Sequence, residues 1–207
     1  MITYDGPWLT AGDKLICFGD SITASGNGYV KILQEKLAAQ QVAVVNAGRG
    51  GDKTPWALTR LESDIIAQKP QAISIFLGTN DCAVGRGRWA DEPTVPSEAY
   101  KSNLKWIVHL CRLAGILKFS ITPPLYRFEG EGWLEHGDIM APYRLAAREA
   151  ADEMKTRFVP ADSVFADEWS RHPGHTGLLL TSDGVHLTKK GNELLAEAML
   201  KAWKMAL

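Results

Sequence analysis

Five short apolar runs, each followed by a longer stretch of helical periodicity, set the tightest limit on what this chain can fold into. The runs read as strands at 14–18, 42–46, 72–77, 118–122 and 157–160. They are nearly continuous in apolar character, as strands covered on both faces of a parallel sheet should be. The intervening patterns predict helices over 28–40, 55–68, 97–114, 139–156 and 189–205. Thr54-Pro55 reads as an N-cap followed by proline at the first helical position, where its missing N–H costs nothing. Tyr100, Leu104, Ile107, Val108 and Cys111 recur at helical spacing before Gly115 stops the run. Repeated βα units of this kind predict an α/β fold with a parallel sheet. No repeat or linker interrupts them, so one domain spanning 1–207 is expected.

Composition removes several alternatives. The chain has 207 residues, 23 Lys plus Arg against 24 Asp plus Glu, and a net charge of −1. Charges of both signs are interspersed, so neither a nucleic-acid partner nor a basic membrane-surface helix is expected. No run reaches the roughly 18 apolar residues that span a bilayer. Cys17, Cys82 and Cys111 are odd in number and form no CxxC, which favours a reducing compartment over a disulfide framework. With no signal-peptide pattern at the start, the expectation is a cytoplasmic protein; a chain whose leader had been removed reads the same.

The loops that leave the C-terminal ends of parallel strands share one rim, where open α/β folds bind ligands. Four motifs fall in such loops. Gly19-Asp20-Ser21 follows the first strand, and Asn46-Ala-Gly48-Arg-Gly-Gly51 follows the second. Gly78-Thr-Asn80-Asp81 follows the third, and Asp183-Gly-Val-His186 is expected after the fifth. Each also reads as an ordinary turn, cap or positive-φ loop. Together they supply a nucleophile (Ser21), a general base and acid (His186) and an acid to orient it (Asp183). The Ser21 N–H, the unobstructed Gly51 N–H and the Asn80 amide can receive an oxyanion. That set serves acyl transfer through serine. The G-x-S-x-G elbow of the α/β-hydrolases is absent.

In order and spacing these four motifs resemble the SGNH hydrolases, the GDSL-like esterases and lipases, from about Ile16 to the end of the chain. The N-x-G-x-x-G register selects Gly51 over Gly50 as the oxyanion glycine. The resemblance implies a three-layer αβα, flavodoxin-like fold with a five-stranded parallel sheet. It also implies ester hydrolysis through an acyl-serine, with no metal and no other cofactor.

Substrate is less legible. Three long loops, at 82–96, 125–138 and 163–182, are expected to wall the site. They carry Trp89, Trp133 and Trp169, which suit stacking on sugar rings or anchoring of the loops. Trp56, Trp106 and Trp203 lie on helices and read as packing. Arg86 and Arg88 suit a phosphate or carboxylate, with Asp91, Glu92, Glu129 and Glu131 as nearby opposing charges. A short-acyl, acetyl-type esterase acting on a small-molecule ester, possibly a carbohydrate, is the leading reading. A lysophospholipase or thioesterase, an acyltransferase and a silent carbohydrate-binding module are its rivals.

Overall fold

The computed structural model describes residues 6–84, 92–125 and 129–206, with the side chains of 131–133 left aside. Five strands, β1 (Lys14–Gly19), β2 (Ala43–Gly48), β3 (Ala72–Phe76), β4 (Lys118–Thr122) and β5 (Arg157–Phe158), form one parallel sheet. Their order is β2-β1-β3-β4-β5, the flavodoxin-like order. The helices are α1 (Ser21–Ala24), α2 (Tyr29–Ala38), α3 (Thr54–Thr59), α4 (Leu61–Asp64) and α5 (Ser97–Leu113). They continue as α6 (Glu131–His136), α7 (Ala141–Glu153), α8 (Ala161–Ser170) and α9 (Lys189–Ala202).

Strand alternation sorts the core into two layers. Leu15, Cys17 and Phe76 face a cluster with Leu33 and Leu37 of α2, Phe165 of α8, and Leu195 and Met199 of α9. Ile16, Phe18, Ile73 and Ile75 face the other, with Ala57 of α3, Leu104 and Val108 of α5, and Ala147 of α7. Successive side chains of a strand point to opposite faces, so the near-continuous apolar runs serve both clusters at once. The expected stripe of α5, from Tyr100 to Cys111, is fully buried.

Several sequence expectations need correction, among them the loop expected at 125–138, which contains helix α6. The single helix expected at 55–68 is broken at Arg60 into α3 and α4, followed by a 3₁₀ turn at Ile66–Gln68. Thr54 is not the cap of α3; instead its N–H and hydroxyl are both taken by the Asp81 carboxylate, at 3.0 and 2.5 Å. Part of the expected loop 163–182 is helix α8, whose Ala161, Val164, Phe165 and Trp169 recur at helical spacing and pack on the core. The Asp183 loop therefore follows α8 rather than β5 directly. Trp203 is a packing residue as expected, but Trp106 is 54% exposed and Trp56 36%. Among the described residues no helix is long and apolar enough to cross a membrane.

Candidate active site

The site is assembled where β1, β2 and β3 end. Gly19 lies opposite Gly48 on one side and Phe76 on the other, so Ser21, Gly51 and Asn80 leave neighbouring strands at one level. This is the crevice at the switch point of the strand order. Asp20 caps α1 by accepting the Ile22 N–H at 2.9 Å, which leaves Ser21 half-buried at the turn. Asn46 ties α1 to β2: its Oδ1 accepts from the Gly48 N–H at 2.9 Å and its Nδ2 donates to the Thr23 carbonyl at 2.7 Å.

The Asp183–His186 segment forms a tight turn, closed by a bridge between Thr181 and Leu187 and by Ser182 N–H donating to the His186 carbonyl at 2.8 Å. Asp183 Oδ1 accepts from the Val185 and His186 N–H groups at 2.9 and 2.7 Å. Its Oδ2 lies 2.7 Å from His186 Nδ1, and His186 Nε2 lies 3.0 Å from Ser21 Oγ. A carboxylate only accepts, so Nδ1 carries the ring hydrogen in neutral histidine, and Nε2 is left to accept from the serine hydroxyl. Partial burial works against the Asp183 carboxylate, but its bonds to the His186 side chain and two backbone N–H groups outweigh that and hold it below its ordinary range.

The turn is braced from behind. Glu129, a loop acid by sequence, is buried and accepts from the Leu179 and Leu180 N–H groups. It is a strut for the segment leading to Asp183, not an acid on a substrate wall. On the opposite side, Gly51 adopts φ +79°, which a residue with a side chain rarely takes. The next carbonyl, of Asp52, accepts from Asn80 Nδ2 at 3.0 Å. Asn80 is buried, and among the described residues that bond uses one of its two amide hydrogens.

The remaining sequence candidates are distributed as follows. Trp169 is half-buried on the core, its ring 5.6 Å from that of His175, so it anchors α8. Trp89, Arg86, Arg88 and Asp91 lie outside the described residues, as do the side chains of Trp133 and Glu131. Cys82 is buried, its thiol donating to the Thr79 carbonyl at 3.3 Å. Sequence reading passed over Arg60, and it named Asp81 only within the Asn80 motif and Glu129 only as a loop acid; all three are buried beside the motifs. Their signal was weak: Arg60 lies inside a run of helical periodicity, Asp81 beside a motif asparagine and Glu129 beside a glycine.

The profile of the GDSL-like Lipase/Acylhydrolase family matches residues 17–194, which contain all four motifs. The chain belongs to this family. This GDSL-family chain is 29% identical to an acetylxylan esterase of Geobacillus stearothermophilus, over 93% of its own length and 94% of the relative's. It is 25% identical to the isoamyl acetate-hydrolyzing esterase of Saccharomyces cerevisiae, over 91% and 85% of the two chains. The crystal structure of the Geobacillus acetylxylan esterase superimposes with a TM-score of 0.80, at 25% identity, covering 95% of this chain and 96% of that one. The GDSL-family chain is a serine carboxylic ester hydrolase with a three-layer α/β fold.

Proposed function

We propose that this GDSL-family enzyme hydrolyses short-chain esters, acetates foremost, with Ser21 as nucleophile, His186 as general base and acid, and Asp183 as the group that orients His186. The hydrogen-bonded relay from Asp183 through His186 to Ser21 carries the reading. Ser21 Oγ attacks the ester carbonyl carbon while His186 Nε2 takes its proton. The carbonyl oxygen becomes an oxyanion, received by the N–H groups of Ser21 and Gly51 and by the second amide hydrogen of Asn80. Collapse expels the alcohol, which takes the proton from His186, and leaves an acyl-serine. A water deprotonated by the same histidine then attacks the acyl carbon, and the acid departs as Ser21 regains its proton.

Two observations bear on the substrate. The side chains of His186 and Asp183 are 50% and 52% exposed, so water reaches the base directly, which favours hydrolysis over acyl transfer to another alcohol. The two named relatives act on acetyl esters of quite different alcohols, a polysaccharide and a branched alkanol. What they share is the acyl group, so acetyl is the part of the substrate assigned here and an acetylated carbohydrate its preferred carrier.

Turnover of p-nitrophenyl acetate, butyrate and octanoate by wild type and Ser21→Ala, with mass spectrometry after a serine-directed phosphonate, tests the proposal. The expected result is a rate that falls with chain length, a label on Ser21, and loss of activity in Ser21→Ala by about 10³-fold or more. Preference for octanoate would refute the short-acyl assignment. A label elsewhere would refute the nucleophile.

A further inference from the structure

Arg60 takes no part in the relay, yet its guanidinium is bonded to the ends of β1 and β2 and to Asp52, whose carbonyl in turn holds the Asn80 amide. It sits at the break between α3 and α4, with its side chain 5% exposed and its guanidinium 4.4 Å from the centre of the Phe18 ring. Nε donates to Asp52 Oδ2 at 2.5 Å. One terminal nitrogen donates to the Ala47 carbonyl and to Asp64 Oδ2, both at 2.9 Å, and the other donates to the Gly19 carbonyl at 3.0 Å. Gly19 closes β1 two residues before Ser21. Ala47 and Asp52 bracket Gly51, and the Asp52 carbonyl holds the Asn80 amide.

We propose that Arg60 is a positioning residue that sets the Ser21, Gly51 and Asn80 donors at their mutual spacing, an inference that rests on Ser21 being the nucleophile. A planar fork with five donors can tie two strand ends and a loop carboxylate in fixed directions at once. A lysine ammonium brings the same charge without those directions. Oxyanion donors must be placed for the transition state, and a displacement of about 1 Å can cost about 10² in rate. The effect therefore belongs in kcat and in the attack step, with ground-state binding nearly untouched.

The experiment compares wild type, Arg60→Lys, Arg60→Ala, Asp52→Asn and Ser21→Ala with p-nitrophenyl acetate. Active serines are counted by phosphonate titration, so that kcat is expressed per competent site. A purely structural arginine lowers the number of competent sites and leaves kcat per site unchanged. The expected result for Arg60→Lys is a fall of about 10- to 100-fold in kcat per site, with KM within about threefold and phosphonate labelling slowed in parallel. A polar cleft of about 450 Å³, lined by Asn46, Gly48, Arg49, Arg60, Ser63 and Asp64 among others, leads to the guanidinium. Ethylguanidinium is therefore expected to restore part of the activity of Arg60→Ala, and ethylammonium none. If the Arg60 variants do not fold, Asp52→Asn decides: it keeps the backbone carbonyl, replaces the carboxylate partner of Nε with a neutral amide, and is expected to lose several-fold in kcat per site. Wild-type kcat per site in whichever variant folds overturns the proposal. Wild-type activity in Ser21→Ala overturns the nucleophile instead, and this inference with it, a result distinct from the first.

Discussion

Asp183 shows how much one loop residue is asked to do. One carboxylate oxygen closes its own turn on two backbone N–H groups, and the other holds the His186 ring. Because its folded-state acidity is strengthened, the stability it adds is present above the ordinary carboxylate range and fades as the pH falls through its folded value. Asp183→Asn keeps the size and one acceptor, but its amide can donate to Nδ1 and hold the wrong tautomer. The expected outcome is a kcat lower by about 10²–10⁴ with KM little changed, measured with p-nitrophenyl acetate. A loss of less than threefold would mean that the turn, and not the carboxylate, orients the histidine.

At the scale of elements, the decisive contact is between the end of β2 and α1. A Cβ added to Gly48 would stand 2.2 Å from the Ala24 backbone nitrogen and 2.6 Å from its Cα, so glycine is what lets α1 seat Ser21 on the sheet. Gly48→Ala must push α1 away, and overpacking of this kind costs about 1–3 kcal/mol. Its thermal midpoint should fall and its phosphonate labelling of Ser21 should slow at least about tenfold, since the helix that moves carries the nucleophile. A variant that melts early but labels at the wild-type rate would separate the two effects and refute the link. The helix itself, four residues long, has no sequence periodicity to betray it, and α8 reads as a loop in the sequence because polar residues separate Ala161, Val164, Phe165 and Trp169. The bonds that Arg60 makes at the break between α3 and α4 were not legible, because Gly19 and Ala47 lie 41 and 13 residues away in sequence.

For the whole molecule, pH acts through groups that tertiary packing has buried. Burial pushes the Asp81 carboxyl up to about 6, against the pull of the Thr54 hydroxyl and N–H and the nearby Lys53 ammonium. The folded chain thus binds this proton more tightly than the unfolded chain, and Asp81 makes stability fall as the pH rises from about 4 to about 6. The slope is worth about 3 kcal/mol across that window. Glu168 works in the opposite sense at lower pH. Hydrogen bonds from Lys190 and His172, with Arg171 beside them, hold it at about 2, so its contribution is lost as the pH falls below the ordinary glutamate range. Asp81→Asn keeps an acceptor for Thr54 without the charge. Urea midpoints of the variant relative to wild type should therefore rise between pH 4 and pH 6 and level off above. A difference independent of pH would refute the assignment.

The division between sequence and structure follows from the range of the forces involved. Strand and helix periodicities, the two-sided burial of the sheet and the four motifs are local patterns, and they were enough to determine the fold class, the family and the residues now found in the relay. The partners of buried charges are not local. Arg60 reaches Gly19 and Ala47, Asp81 reaches Thr54, and Glu129 reaches Leu179 and Leu180, each across a gap that only the folded sheet closes. A charge taken out of water must find its partners wherever the chain brings them, so the scaffold behind the site was decided by the tertiary structure alone.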